Sequence, residues 1–331
     1  MTAGPAPGRA ADRVPTIFFG SGSFAVPILD ALAADRRLDL VAVVSAPDRP
    51  AGRDRALTPT PVALRARSLG LPLLQPAHVR ASDAIAEIGA LAPELGVLAD
   101  YGQIIPRTLL DMPPRGILNV HPSLLPRHRG ATPIAATISE GDERAGVTII
   151  RMDDGIDTGP IVVRQSWPLT GSERAPALQE QAAREGAALV TRTLESWLAG
   201  TSAAIPQTPL GATLTRPFRR EDARLDVSRP AVQLERQVRA QQPWPGSFVE
   251  THAGRMAVLA ASTAPADPED SPGMLVPHDD RLALTTADGR LVLDELQLAG
   301  RRALAGDEFL RGQPQLAGAS VVAAALAGSP R

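Results

Sequence analysis

The residues best suited to chemistry lie in the segment 119–128, which reads NVHPSLLPRH. Asn119 and His121 are two positions apart after an apolar run, so on a β-strand both side chains point to the same face. Asn119 is also the single asparagine of the 331-residue chain. An amide beside an imidazole suits acyl transfer, because the amide N–H can hold a developing oxyanion while the imidazole donates or relays a proton.

An imidazole in this role needs a carboxylate to orient it and to favour its charged form. The segment MDDGIDTG, residues 152–159, supplies Asp153, Asp154 and Asp157. Its two glycines allow the backbone to wrap closely around a ligand. The segment lacks the ligand pattern of an EF-hand, and the chain has no cysteine, so we expect no metal site.

The chain offers no good nucleophile of its own. Cysteine is absent, and Ser123 does not sit in a G-x-S-x-G elbow. The sequence therefore favours direct attack by an amine of the substrate on an acyl donor, without an acyl-enzyme.

Short apolar runs alternate with helical patterns in the first half of the chain, and these elements must position the polar residues. The predicted strands are 15–20, 38–46, 71–76, 94–102 and 115–121, and the predicted helices are 24–35, 60–70 and 81–92. This alternation predicts an α/β fold with a Rossmann-like, mostly parallel sheet. Ligands bind beyond the carboxyl ends of the strands in such sheets, which is where Asn119 and His121 lie.

The remaining pattern predicts two domains. Two β runs within 145–169 and a long helix over 175–200 complete a catalytic domain at 14–200, followed by a linker at 201–211 that is rich in Thr and Pro. A helix over 230–241 and short β runs, with hairpin turns at HAG and ADG, predict a small β-rich, barrel-like (OB-like) domain. We expect this C-terminal domain at 212–312 and a mobile tail at 313–331.

Composition limits the partners and the compartment. The net charge is −2, so binding to nucleic acid needs a local basic patch. All 34 basic residues are arginine, and residues 216–239 hold seven of them against four acids. No secretory leader and no apolar run of membrane-spanning length are recognisable, so we expect a cytoplasmic protein.

The stretch GSGSFA, residues 20–25, fits the loose dinucleotide fingerprint G-x-G-x-x-G/A. The second strand, however, ends in VVSAPD, with Ser45 and Ala46 where an acid for the ribose belongs. A tight strand–helix turn is therefore favoured over a nicotinamide site. A dehydrogenase and a non-catalytic RNA-binding module remain the alternatives of a different class.

Two motifs in this order carry a family resemblance. NVHPSLLPRHRGATPI, followed by GVTIIRMDDGIDTGPIV, resembles the formyltransferases that use 10-formyltetrahydrofolate. The resemblance implies 10-formyltetrahydrofolate as co-substrate, no metal, and a catalytic set of Asn119, His121 and Asp157. It further implies that the folate pocket includes Ser123, Leu124, Leu125 and Pro126.

The loop APDRPAGRDRALTPTPV, residues 46–62, separates branches of that family. It is similar to the insertion with which members that formylate methionyl initiator tRNA reach the acceptor end, although arginines stand where lysines are usual. The resemblance thus implies transfer of a formyl group to the α-amine of methionyl initiator tRNA, with tRNA contacts at Arg49, Arg53 and Arg55. A member that acts on an amino-sugar nucleotide is the alternative, and no obligate protein partner is indicated.

Overall fold

The computed structural model describes residues 13–51 and 56–322. Arg53 and Arg55, two of the expected tRNA contacts, lie outside the described residues. The chain divides into two compact units. The first contains residues up to Pro133 with Arg144–Pro168 and Gln179–Thr215, and the second contains Ile134–Glu143, Leu169–Leu178 and the chain from Arg216.

The strands up to residue 215 are, in chain order, β1 (Val14–Gly20), β2 (Leu38–Val44), β3 (Arg49–Ala51), β4 (Ala56–Thr58), β5 (Leu73–Leu74), β6 (Leu95–Ala99), β7 (Ile117–His121), β8 (Arg129–Gly130), β9 (Arg144–Arg151), β10 (Ile161–Pro168) and β11 (Leu214–Thr215). The helices in the same stretch are α1 (Ala25–Ala34), α2 (Pro61–Ser68), α3 (Ser82–Ala90), α4 (Arg107–Leu110), α5 (Pro133–Ser139) and α6 (Ala175–Leu198).

A seven-stranded sheet forms the first unit, in the order β10-β9-β7-β6-β1-β2-β5. The pairs from β7 through β5 are parallel, while β9 runs antiparallel to both β7 and β10. The inner strands are apolar almost throughout, as expected of strands covered on both faces. The mostly parallel, Rossmann-like sheet predicted from the sequence is confirmed.

The predicted helices and strands of this half are all present, most with slightly shorter bounds. Helix α2 shows why the sequence pattern was sufficient. Thr60 caps its first turn by accepting a hydrogen bond from Ala63 N at 3.0 Å, Pro61 occupies the first helical position, and Gly70 follows its end with φ of +65°. Each of these residues is a strong local signal for a helix boundary.

The GSGSFA stretch forms a tight turn between β1 and α1. The backbone N–H groups of Ser21 and Gly22 both donate to the carbonyl of Asp100, at 2.9 and 3.2 Å. A Cβ at Gly20 would lie 3.0 Å from the carbonyl oxygen of Ala99. The glycines therefore allow close approach to the end of β6, and these two N–H groups are already engaged within the protein.

The second unit contains the strands β12 (Ser247–Thr251), β13 (Gly254–Ala264), β14 (Leu275–His278), β15 (Arg281–Thr285), β16 (Arg290–Leu298) and β17 (Leu304–Ala305), the helices α7 (Ala231–Ala240) and α8 (Gly306–Gly312), and 3₁₀ turns at Arg220–Ala223 and Pro314–Leu316. Its antiparallel sheet has the order β12-β13-β16-β15-β14, and β17 pairs with β16. Within the described residues β12 and β14 are the two ends of this path. The hairpin turns predicted at HAG and ADG connect β12 to β13 and β15 to β16.

The described part of the expected mobile tail packs against this sheet. Leu316 is fully buried, and Leu275 N donates to Ala319 O at 2.8 Å. Burial of apolar side chains between 310 and 321 accounts for the order of this stretch. Residues 323–331 lie outside the described residues, and the domain boundaries proposed from the sequence stay a prediction.

Candidate active site

Strand β7 holds Asn119 and His121 at its carboxyl end. It lies between β6 and β9, with Asn119 opposite Leu98 on one side and opposite Ile150 on the other. The two polar side chains are only 5% and 4% exposed. Buried polar groups are costly unless they are hydrogen-bonded, so their partners define what the site can do.

The loop between β9 and β10 brings Asp157 to the same place. Asp157 adopts φ of +53°, a left-handed conformation that costs about 1–3 kcal/mol for a residue with a side chain. A Cβ at Gly159 would lie 2.0 Å from the carbonyl of Arg151, so only glycine fits there. The loop is thus shaped by close contacts that hold the Asp157 carboxylate in one place.

The carboxylate of Asp157 connects three groups. Its Oδ1 accepts from Asn119 Nδ2 at 2.9 Å, and its Oδ2 accepts from Gly130 N at 2.8 Å. The same Oδ2 lies 3.5 Å from His121 Nδ1. The three residues expected to form the catalytic set from the sequence resemblance are therefore adjacent in the structure.

The contact with Asp157 fixes the orientation of the Asn119 amide. An ionised carboxylate only accepts hydrogen bonds, so the NH₂ group of Asn119 faces it and the amide oxygen points away. One N–H is used in this bond, and an amide has two. The second N–H is the donor that can serve an oxyanion.

Both ring nitrogens of His121 face protein oxygens. Nε2 lies 2.9 Å from the carbonyl oxygen of His128, which can only accept, so Nε2 carries a proton. Nδ1 lies 3.5 Å from Asp157 Oδ2, so the carboxylate and the Nε2 contact together set the orientation of the ring. An imidazole held beside a carboxylate is a group that can relay a proton.

Residues 123–126, expected in the folate pocket, form the turn that follows β7. Ser123 Oγ donates to Arg127 O at 2.7 Å, and Leu125 is fully buried. Leu124 and Pro126 are half-buried. If this turn contacts a ligand, Leu124 and Pro126 offer the side-chain surface, because Ser123 and Leu125 are committed within the protein.

Asp100 lies just after β6, the strand next to β7. The surrounding protein desolvates this carboxyl and raises its pKa to about 6, although the residue as a whole is exposed. Its Oδ2 lies over Gly22, where a Cβ would come within 1.7 Å. A carboxyl group of raised pKa is a frequent feature of functional sites.

The expected tRNA contact Arg49 lies at a different position along the sheet edge. It is exposed on β3, which pairs with β4 in a short antiparallel hairpin within the 46–62 loop. A cavity of about 280 Å³ beside this hairpin is lined by Ala46, Pro47, Arg49, Thr58, Thr60, Tyr101, Gly102 and Gln103. Arg49 thus belongs to the carboxyl end of β2, and not to that of β7.

In the second unit, two arginines of the basic segment are held by acids. Arg216 makes a fork onto Asp222 at 2.6 and 2.7 Å, and Arg239 bonds to Glu235 at 2.5 and 2.9 Å. These side chains are less available to phosphate than the sequence count indicated. The count of seven arginines in 216–239 therefore overstates how many of them are available to phosphate.

Sequence reasoning did not identify the residues that bond to the backbone around Asp157. Gln207, in the segment expected to be a linker, donates to the carbonyls of Asp157 and Gly159, both at 2.8 Å. Arg129 in turn donates to Gln207 Oε1. No local pattern signals such contacts, because they join residues roughly 50 to 80 positions apart.

Neither a metal-binding cluster nor a membrane-spanning helix is found in the described part of the chain. Among the described residues, no group of three or more His, Cys, Asp or Glu side chains is arranged to hold a metal. Within residues 13–51 and 56–322, no helix is both long enough and apolar enough to cross a bilayer.

The fold and the site agree with two family models that together span most of the chain. Formyl transferase matches residues 12–194, and Formyl transferase, C-terminal domain, matches residues 217–314. The chain belongs to the formyl transferase family.

Named relatives lie close to the chain in sequence. The methionyl-tRNA formyltransferase of Chloroflexus aggregans is 42% identical over 299 residues, which cover 89% of this chain and 96% of the relative. That of Halorhodospira halophila is 42% identical over 306 residues, covering 92% and 98%.

A solved structure shares the fold at greater distance. It is the N-formyltransferase of Helicobacter canadensis in complex with folinic acid and dTDP-3-aminofucose, with a TM-score of 0.60 at 15% identity, covering 85% of this chain and 98% of that one. At this level of identity the likeness concerns the fold alone.

Proposed function

We propose that this protein transfers the formyl group of 10-formyltetrahydrofolate to the α-amine of methionyl initiator tRNA. The observation that carries the proposal is the convergence of Asn119, His121 and Asp157 at the carboxyl end of β7. The reaction class follows from this chemistry: an amide donor for an oxyanion, an imidazole beside a carboxylate that can relay a proton, and no cysteine nucleophile.

The acceptor is proposed from the relatives of the chain. Proteins called methionyl-tRNA formyltransferase match about nine tenths of it at about 40% identity. The solved sugar formyltransferases match at 14–19%. An amino-sugar nucleotide is therefore the less favoured acceptor.

The residues present fit the formyl donor. When bound, 10-formyltetrahydrofolate supplies an electrophilic carbonyl carbon, and the second N–H of Asn119 is a suitable donor for its oxygen. Leu124 and Pro126 would contact the folate body, since both are half-buried at the end of the turn after β7. Ser123 and Leu125 would hold this turn in shape.

Each catalytic residue has a separate task in the proposed reaction. Asn119 stabilises the negative charge that develops on the formyl oxygen as the amine adds. Asp157 orients the Asn119 amide and, with His121, takes up the proton that the amine nitrogen loses. The same pair can return a proton to the leaving nitrogen, so the protein ends the cycle unchanged.

We assign tRNA contacts to the segment 46–62, at Arg49, Arg53 and Arg55, and to the C-terminal unit. Arg49 is exposed on β3 and has the planar fork that suits phosphate oxygens. The proposal places the protein in the cytoplasm, because initiator tRNA is charged and used there.

The test is a competition between acceptors. The purified protein is incubated with 10-formyltetrahydrofolate, methionyl initiator tRNA and an amino-sugar nucleotide, and both products are measured by mass spectrometry. We expect formylmethionyl-tRNA as the main product. Formylation of the sugar alone would replace the proposed acceptor, and formylation of neither would reject the activity.

A further inference from the structure

We infer that Gln207 is a positioning residue of the active site that acts through Asp157, an inference that rests on the proposed function. Gln207 lies in the stretch 205–215, which follows helix α6 and which we call the strap. Nothing in the sequence pattern indicated a role for this stretch beyond connecting two domains.

The strap is bonded to both loops that form the site. Ile205 and Ile161 exchange two backbone hydrogen bonds, at 2.7 and 2.8 Å, beside the Asp157 loop. Farther along, Thr213 Oγ1 accepts from His128 N at 2.8 Å, and β11 pairs in parallel with β8. The strap therefore belongs to the same compact unit as the site.

Gln207 holds the backbone at Asp157. The two N–H groups of its amide donate to the carbonyls of Asp157 and Gly159, each at 2.8 Å. Its oxygen accepts from Arg129 Nε at 3.2 Å and from Nη2 at 2.7 Å, which fixes the amide plane. Both the nitrogen and the oxygen of the Gln207 amide are therefore hydrogen-bonded, which fixes the orientation of the side chain.

The hydrogen bonds from Gln207 hold the backbone of Asp157 in place. Asp157 has a left-handed backbone that costs free energy, so its loop stays in place only while other contacts hold it. Its carboxylate must remain in reach of Asn119 on one side and Gly130 N on the other. Loss of the Gln207 amide would let the loop relax and would move the carboxylate away from the Asn119 amide.

The kinetic test compares Gln207→Ala with Thr208→Ala, a neighbouring exposed residue whose hydroxyl bonds only within the strap, to Leu210 N. We expect Gln207→Ala to lower kcat by about 10- to 100-fold, the usual effect of displacing a reacting group by about an ångström. KM for methionyl-tRNA and for 10-formyltetrahydrofolate should stay within about threefold of wild type, because binding contacts are elsewhere. Thr208→Ala should match wild type.

Gln207→Glu separates the two halves of the contact. It keeps the length and an acceptor for Arg129 but removes the two donors to the carbonyls. We expect the same loss of kcat as in Gln207→Ala. Wild-type kcat in Gln207→Glu would mean that the donors are unimportant and would overturn the inference.

A double variant tests whether Gln207 acts through Asp157. Once Asp157→Ala has removed the carboxylate, adding Gln207→Ala should cost little more, because residues that act as a unit are not additive. Losses that multiply would contradict the inference and would assign Gln207 an independent role.

Hydrogen exchange gives a readout that needs no activity. The Gly130 amide is bonded to Asp157 Oδ2, so its exchange reports the position of the carboxylate. We expect faster exchange at Gly130 in Gln207→Ala and unchanged exchange in Thr208→Ala. If wild-type protein formylates no acceptor, the proposed function fails, and the Gly130 exchange alone decides whether Gln207 positions Asp157; equal exchange in wild type and Gln207→Ala would overturn it.

Discussion

At the scale of single residues, Asp157 is the most connected group of the site. It receives hydrogen bonds from Asn119 and Gly130 and faces His121. In the proposed reaction its carboxylate has two tasks, since it orients the Asn119 donor and helps to move a proton. The charge of Asp157 can be tested apart from its shape.

Asp157→Asn keeps the shape of the side chain and removes the charge. An amide side chain cannot take up a proton as a carboxylate can, and its NH₂ group would face the NH₂ of Asn119 or the N–H of Gly130. We expect kcat for formyl transfer to fall by at least about 100-fold, with binding of 10-formyltetrahydrofolate nearly unchanged. Steady-state rates and folate titration measure both.

Asp154→Asn is the matched control, because Asp154 lies in the same loop and its side chain is 75% exposed. The control should retain most of the activity. Equal losses in the two variants would show that the loop is sensitive to any change and that the Asp157 charge has no special part.

Asp100 gives a prediction about stability and pH. Its pKa is about 6 in the folded protein because burial disfavours the anion, and about 3.9 in an unfolded chain. The folded state thus holds this proton more tightly, so stability declines as pH rises from about 4 to about 6 and the penalty persists above that. Asp100→Asn should be more stable than wild type at pH 7.5, and the difference should vanish near pH 4.

Urea unfolding of wild type and of Asp100→Asn across this pH range measures the sign of their difference in stability. The side chain is partly open to solvent, so we predict the direction of the change and its pH window. A stabilising effect of equal size at pH 4 and pH 7.5 would mean that the charge of Asp100 is not its cause.

Sequence reasoning identified the candidate catalytic residues but not the residues that hold them. Asn119 and His121 were identifiable because a polar pair at the end of an apolar strand is a local pattern. Gln207 and Arg129 were not, because their contacts depend on where the strap returns after helix α6. The backbone carbonyl of His128 faces His121, and such a backbone contact cannot be predicted from residue types.

At the scale of elements, strands with a long apolar run could be predicted from the sequence, and very short strands could not. Strands β1, β2, β6 and β7 are apolar runs of five to seven residues, so they were readable from the sequence. Strands β8 and β11 have two residues each and pair across about 85 positions, so no periodicity exposes them. The hairpin β3–β4 was missed because strands of three residues are too short to show alternation.

We expect the segment 46–62, which includes strands β3 and β4, to contribute to tRNA binding. Arg49→Ala and Arg53→Ala should each lower kcat/KM for methionyl-tRNA and leave 10-formyltetrahydrofolate binding intact. Some of the loss should appear in kcat, because remote binding energy can position the amine for attack. Arg36→Ala, an exposed arginine after α1, is the control and should match wild type. If Arg49→Ala or Arg53→Ala formylated tRNA at the wild-type rate, the segment 46–62 would not be part of the tRNA interface.

At the scale of the whole molecule, the net charge of −2 makes binding to a polyanion depend on local patches. Affinity for methionyl-tRNA should fall as salt rises, since each bound phosphate releases counterions. The slope of log affinity against log salt should flatten by about 0.7–0.9 for each phosphate that a variant such as Arg53→Ala no longer binds. Binding measurements over a salt series give this slope, and a slope equal to that of wild type would show that Arg53 contacts no phosphate.

In the proposed function, formyl transfer occurs at Asn119, with His121 and Asp157 beside it. The most direct measurement is the single-turnover rate of formylation of methionyl-tRNA by Asn119→Ala and by wild type, with folate affinity measured in parallel. We predict a rate about 10²- to 10³-fold lower in the variant, the usual effect of losing one oxyanion donor, with folate affinity little changed. A near-normal rate in Asn119→Ala would contradict this claim and place the chemistry elsewhere.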